Sequence, residues 1–194
     1  MVKKLLSVLN GEPAAVPPIW LMRQAGRYLP EYRALRAKAG NFIQFCLSPD
    51  VAAEVTLQPV RRYGVDAAML FSDIVVPVAA IGFGIDVIPG RGPVAEHPFT
   101  SRSDLTRLRP LEVDQDIPYV IETVRHVAAE LNAQDTTLIG FAGAPFTVAS
   151  YLVEGGPSRT FTKVKALMYQ DPELWDDLVA VLAEKKQFLV CPTI

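Results

Sequence analysis

Three short apolar runs constrain this chain more than any other feature. Residues 19–22, 65–71 and 137–141 are nearly unbroken in apolar character, and each stops at polar or small residues. Runs of this length suit strands covered on both faces, as in a parallel sheet. Helical patterns lie between and after them. Pro30-Glu31 opens a helix that runs through Leu35 and stops at Gly40, with proline in its first turn and glycine past its end. Ser48-Pro49-Asp50 opens a second, with Val51, Val55 and Val60 on the buried side and Gly64 as its stop. Asp116-Ile117-Pro118 opens a long one carrying Ile117, Val120, Ile121, Val124, Val127, Ala128 and Leu131 on one face.

Between the second and third runs the pattern changes. Gly82, Gly84, Gly90, Gly92, Pro89 and Pro93 punctuate short apolar pieces, which reads as one or two short strands, and Ser103-Asp104 opens a short helical piece. After the third run, small residues lead into a helix through Tyr151 to Glu154-Gly155-Gly156. Two more helical stretches follow, residues 161–169 and a last one capped by Asp171 before Pro172. Repeated strand and helix units predict an α/β fold with a parallel sheet, its functional groups collected at the carboxyl ends of the strands. The closed form of that plan is a barrel. A complete eight-stranded barrel takes about 250 residues, and this chain has 194. No repeat or low-complexity linker divides it, so one domain over residues 1–194 is expected.

Charge and composition narrow the function. Nineteen basic against 21 acidic residues give a net charge of −2 with no basic block, which argues against a nucleic-acid partner. The longest apolar region, residues 67–84, carries Ser72, Asp73 and Pro77, so no unbroken membrane span is expected. The apolar stretch at residues 5–9 is too short for a signal peptide. Cys46 and Cys191 lack metal-like spacing and read as reduced thiols of a cytoplasmic protein. His97 and His126 each stand without a metal-spaced partner and read as structural or exposed. The chain has no phosphate-cradling loop, dinucleotide fingerprint, metal-ligand cluster or nucleophile elbow. A cofactor-free enzyme or a simple binder remains.

Three features carry candidate chemistry. Arg23 and Arg27 follow the first apolar run beside Gly26, and two planar guanidinium forks suit a small ligand with several acidic groups; solvated arginines laid along apolar neighbours are the alternative. Asp73 follows the second run with almost no local charge to pair with, so it can accept converging N–H donors or face a developing positive charge, or with Ser72 cap the next helix. Tyr151 sits in an apolar helical turn, as a ligand contact or as a core tyrosine with a backbone partner.

Pro18-Ile19-Trp20-Leu21-Met22-Arg23-Gln24-Ala25-Gly26-Arg27, with Tyr28-Leu29-Pro30-Glu31-Tyr32-Arg33 after it, resembles the first signature of the uroporphyrinogen decarboxylases. Gly140-Phe141-Ala142-Gly143-Ala144-Pro145-Phe146-Thr147, with Tyr151 and Glu154-Gly155-Gly156 beyond, resembles the second, and Phe71-Ser72-Asp73 lies between them as in that family. The likeness covers about residues 1–183. It implies the first half of a (β/α)8 TIM barrel, truncated, with an atypical tail at about residues 184–194 that does not continue the family's pattern.

The implied activity is a carboxy-lyase of haem and porphyrin biosynthesis that converts the four acetate side chains of uroporphyrinogen III to the methyls of coproporphyrinogen III. The alternatives are an inactive porphyrinogen-binding fragment and a related methyltransferase of the same barrel family. The resemblance implies Asp73 and Arg23 as catalytic residues and Arg23, Gln24, Ala25, Gly26, Arg27, Phe42, Asp73 and Tyr151 as substrate-binding ones, with no metal and no cofactor. Arginines, aspartate and tyrosine are expected to face one hollow. The family's later serine or threonine and its late histidine have no counterpart in these residues. Family members are cytoplasmic homodimers with no nucleic-acid or membrane partner. An uncovered half-barrel is expected to self-associate.

Overall fold

The computed structural model describes residues 3–22, 26 and 28–184. The first helix is α1 (Lys4–Leu9), and α2 (Pro30–Lys38), α3 (Phe42–Cys46) and α4 (Pro49–Tyr63) come after it. Strand β1 (Ala67–Met69) leads into α5 (Val76–Ala80), and β2 (Ile85–Ile88) and β3 (Gly92–Ala95) form an antiparallel hairpin. A 3-10 turn at Arg102–Arg107 precedes α6 (Val113–Asp116), α7 (Pro118–Leu131), β4 (Thr137–Ile139), α8 (Pro145–Glu154), α9 (Thr162–Gln170) and α10 (Pro172–Glu184).

Strands β1 and β4 pair in parallel, Ala67 against Thr137 and Met69 against Ile139. The crossover between them includes α7, as a parallel connection requires. Helices α4 and α7 cover β1 through Ala53, Leu57, Val60, Val65, Ala68, Val127 and Leu131, all buried. The fold is α/β, with a parallel pair at its centre and helices packed against it.

The local signals explain the main helices. Gly64 closes α4 in the left-handed region at φ 61°, where its N–H reaches the Val60 carbonyl. Gly155 does the same for α8 at φ 78°. The carboxylate of Asp171 accepts the Leu174 N–H at 3.0 Å, capping α10 as the sequence predicts. Ile117, which caps α7, and Val120, Val124, Val127 and Leu131 along it are buried, as its apolar face requires.

Other expectations are corrected. Residues 19–22 form no buried strand: among the described residues Ile19 is 60 % and Met22 74 % exposed, and no strand is formed there. Ile19 is nonetheless tied to Asp66. The Ile19 carbonyl accepts the Asp66 N–H at 2.8 Å, and the Ile19 N–H donates to the Asp66 carboxylate at 2.6 Å, so the segment lies beside the entry of β1. The strand expected at residues 65–71 shrinks to Ala67–Met69, and that at 137–141 to Thr137–Ile139. The 3-10 turn starts at Arg102, with Ser101 as its cap. Cys46 is a free, buried thiol, whereas Cys191 and the tail from residue 185 lie outside the described residues. His97 is exposed, and His126 sits on the surface 3.1 Å from the Asp50 carboxylate. Among the described residues no helix is long and apolar enough to cross a membrane.

Candidate functional site

The carboxyl end of β1 is built to hold a lone carboxylate. Thr56 of α4, wholly buried, uses its hydroxyl twice: it donates to the Ala52 carbonyl at 2.7 Å and accepts the Phe71 N–H at 2.9 Å. The Leu70 N–H donates to the Ile139 carbonyl, which ties the same segment to β4. Beyond that anchor, Ser72 carries a buried hydroxyl oxygen with no hydrogen-bond partner among the described residues. Asp73 follows. Its Oδ1 accepts the Val75 N–H at 3.0 Å, a short turn that leads into α5. Burial pushes its carboxyl above the ordinary range, and the Val75 bond only partly offsets this. The alternative reading, Ser72 and Asp73 as a helix cap, is not met: α5 has Val75 as its N-cap with no side-chain capping bond, and the Asp73 bond closes only the turn before it, leaving Asp73 short of donors.

Its surroundings are apolar. Phe71 stacks edge-on with Phe42 at 6.0 Å, with Phe45 at 5.3 Å and with Tyr32 at 6.1 Å. Burial raises the Cys46 thiol's pKa, and the neighbouring Asp73 charge raises it further. On the other side the turn after β1 meets the loop after β4. A Cβ on Gly143 would lie 2.5 Å from the Val148 side chain and 3.1 Å from that of Ile74, so only glycine fits this contact. The two strand ends thus stand side by side, as the sequence predicts.

Phe42 also lines a cavity of about 780 Å³ with Tyr32, Arg33 and Arg36 on one wall and residues 87–92 of the hairpin on the other. Arg36 donates to the Gly40 carbonyl at 2.8 Å and lies 5.6 Å from the Phe45 ring centroid. Sequence reasoning missed Arg33, Arg36 and Arg91. The available signal was the pair three apart on one helix, Arg33 and Arg36, together with the turn Pro89-Gly90-Arg91-Gly92.

Tyr151 is half-buried on α8 and lines a separate hollow of about 140 Å³ with Phe146, Ser150, Ser158 and Phe161. Gly92, in the larger cavity's wall, is packed so close to Pro157 of the smaller hollow that a Cβ would come within 3.2 Å of it. Among the described residues, then, Phe42 and Tyr151 open onto different hollows, and Asp73 lines neither. The alternative reading of Tyr151, a core tyrosine with a backbone partner, finds no such partner among the described residues, and Arg23, Gln24, Ala25 and Arg27 lie outside them. Gly26 is described: a Cβ on it would meet the Tyr28 ring at 2.1 Å.

In fold the chain is similar to a methyltransferase from Methanosarcina mazei, with a TM-score of 0.65 over 95% of this chain and 53% of that one, at 20% sequence identity. In sequence it is 58% identical to the uroporphyrinogen decarboxylase of Salinispora tropica, covering 89% of this chain and 46% of that protein. It is 57% identical to that of Streptomyces griseus over 92% of this chain and 48% of the relative, and 56% identical to that of Corynebacterium diphtheriae over 90% and 51%. The chain spans about half the length of the curated relatives it matches. The family model for uroporphyrinogen decarboxylase matches residues 2–186. Nearly the whole chain is thus accounted for by one sequence pattern, and the chain belongs to the uroporphyrinogen decarboxylase family.

Proposed function

We propose that this chain carries the first part of the site of a uroporphyrinogen decarboxylase, the enzyme that converts uroporphyrinogen III to coproporphyrinogen III by removing CO2 from four acetate side chains. The observation that carries the reading is Asp73: a carboxylate past a strand's carboxyl end, raised by burial, depleted of donors and close to Cys46. An anion so placed gains most when the pyrrole N–H groups of a porphyrinogen supply the missing bonds. The chemistry needs no more than protons. A proton added to a pyrrole carbon turns the ring into an electron sink, and the bond from the acetate methylene to its carboxylate breaks, releasing CO2. The electron pair enters the ring, the resulting exocyclic methylene takes up a proton to become a methyl group, and loss of the first proton from the ring carbon restores the pyrrole, so one proton is consumed for each CO2 released.

Asp73 opposes the ring's positive charge in this scheme. Arg23, as proton donor and carboxylate anchor, acts with Arg27, while Gln24, Ala25 and Gly26 line the same loop. Phe42 packs on the macrocycle and Tyr151 bonds a carboxylate. The cavity lined by Arg33, Arg36 and Arg91 supports the assignment, because a substrate ringed by carboxylates needs more than two cations.

The parallel pair with its covering helices supports one further assignment: these elements form the first half of a (β/α)8 barrel, a single domain. We assign the working enzyme to the cytoplasm as a homodimer by the same resemblance. The decisive assay is CO2 release from uroporphyrinogen by this chain and by a chain of the relatives' length, each with and without Asp73→Asn. Loss of about a hundredfold or more is expected wherever the parent turns over, and unchanged release in the variant would refute the role of Asp73. The coverage of about half the relatives' length favours a second reading, binding without turnover by this chain alone. CO2 release by the chain itself would exclude that reading.

A further inference from the structure

The larger cavity is cationic in a chain of net charge −2. Arg33, Arg36 and Arg91 line it, and no aspartate or glutamate does. The hairpin's own acids lie elsewhere: Asp86 and Glu96 line a different hollow with Gly84, Ile85, Ile88 and Val94, and Asp86 accepts the Val87 N–H at 2.7 Å. Arg91 is exposed at the hairpin tip, where its N–H closes a turn on the Ile88 carbonyl at 3.0 Å between Gly90 at φ 77° and Gly92 at φ 86°. Its guanidinium makes no hydrogen bond or ion pair among the described residues.

The base of that hairpin is held firmly. Arg107 reaches both ends of the hairpin, donating to the Phe83 carbonyl at 2.7 Å and the His97 carbonyl at 2.9 Å, with its guanidinium 4.0 Å from the Phe83 ring centroid. Asp104, held near a pKa of about 2 by the backbone N–H groups of Thr100 and Ser101 and by Arg107, fixes that guanidinium in turn. On the far side the Ala95 N–H donates to the Gly155 carbonyl at 3.1 Å and the Phe99 N–H to the Leu152 carbonyl at 2.8 Å, which joins the hairpin to α8. A cation at the tip of a hairpin clamped at its base, lining one cavity with two further cations, spends less ordering entropy when an anion arrives than one on an untethered loop.

We propose that Arg91 is a carboxylate-binding residue of this cavity and that it takes a peripheral carboxylate of a polycarboxylic tetrapyrrole opposite Arg33 and Arg36. The inference rests on the proposed function and extends it to a residue on the hairpin. Its test is fluorescence titration of the chain with the octacarboxylic porphyrin uroporphyrin III at low ionic strength, comparing the parent with Arg91→Gln, Arg91→Lys and a distant surface control, Arg125→Gln. The expected result is a roughly three- to tenfold weakening for Arg91→Gln, with Arg91→Lys close to the parent and Arg125→Gln unchanged. Parent binding that Arg91→Gln leaves intact, or that Arg125→Gln weakens equally, overturns the role of Arg91 while leaving the proposed function standing. A parent that does not bind uroporphyrin at all overturns both.

Discussion

Asp66 and Asp73 flank the same strand, and the chain treats them in opposite ways. Asp66, at the entry of β1, accepts the Ile19 N–H at 2.6 Å and meets the Lys4 ammonium at 3.2 Å, and these partners hold its carboxyl below the ordinary range. Asp73, at the exit, has one backbone donor and a carboxyl raised by burial. One residue type thus does two jobs seven positions apart. The entry is satisfied and serves stability, whereas the exit keeps unspent bonding capacity for a ligand, the division expected between the two ends of strands in α/β folds.

The largest effect that would break this contrast comes from Asp73→Asn. Turnover should fall about a hundredfold or more wherever the parent is active, while the urea midpoint at neutral pH holds or rises, because a desolvated charge has been removed. A lowered midpoint would show that Asp73 is a stabilising group like Asp66.

Next comes Thr56→Val, which keeps shape but leaves the Phe71 N–H without its acceptor. A loss of about 1–3 kcal/mol in chemical denaturation is expected. If β1's exit is positioned by that hydroxyl, porphyrin affinity should weaken along with stability. Unchanged affinity would place the anchor outside the site.

Asp66→Ala should cost a similar or smaller amount, about 1–2 kcal/mol, with ligand affinity untouched. The pH dependence separates the two aspartates by sign. The contribution of Asp66 is complete above the ordinary carboxylate range and is lost as pH falls through its lowered folded value. Asp73 runs the other way: its folded value is raised, so its cost is complete above that value and is relieved as pH falls through it toward the unfolded one. Urea midpoints from neutral to acid should therefore show parent gaining on Asp73→Asn before it loses its advantage over Asp66→Ala. Parallel curves for the two variants would dissolve the comparison.

What was legible in the sequence divides along the same line. Asp73 and its apolar run could be found because isolation of a charge is a local property, and α4 and α10 because proline, aspartate and glycine mark helix ends locally. The strand expected at residues 19–22 could not be judged in that way. Its apolar run is intact, yet burial is decided by what covers it, and in the described fold Ile19, Leu21 and Met22 stay exposed. The cavity arginines were missed for a related reason. Arg33 and Arg36 lie on α2 and Arg91 on a hairpin tip far along the chain, and only the docking of hairpin against helix brings them to one cavity. Helices α1 and α3 escaped notice because six and five residues offer too little periodicity to read.

The smallest predicted effect sharpens the account of the entry end. Lys4→Gln removes one half-exposed ion pair, worth about 0.2–1 kcal/mol and weakened by salt. The Lys4 N–H still donates to Asp135 at 2.8 Å, so α1 keeps its own tether. The Ile19 N–H outranks Lys4 in lowering the Asp66 carboxyl, so Lys4→Gln should recover only a fraction of the loss seen in Asp66→Ala, and that fraction should shrink in high salt. Equal losses in the two variants, both erased by salt, would mean that the entry of β1 is held by surface charge. The satisfied end would then owe its stability to Lys4 and not to the backbone bridge that brings residue 19 alongside the strand.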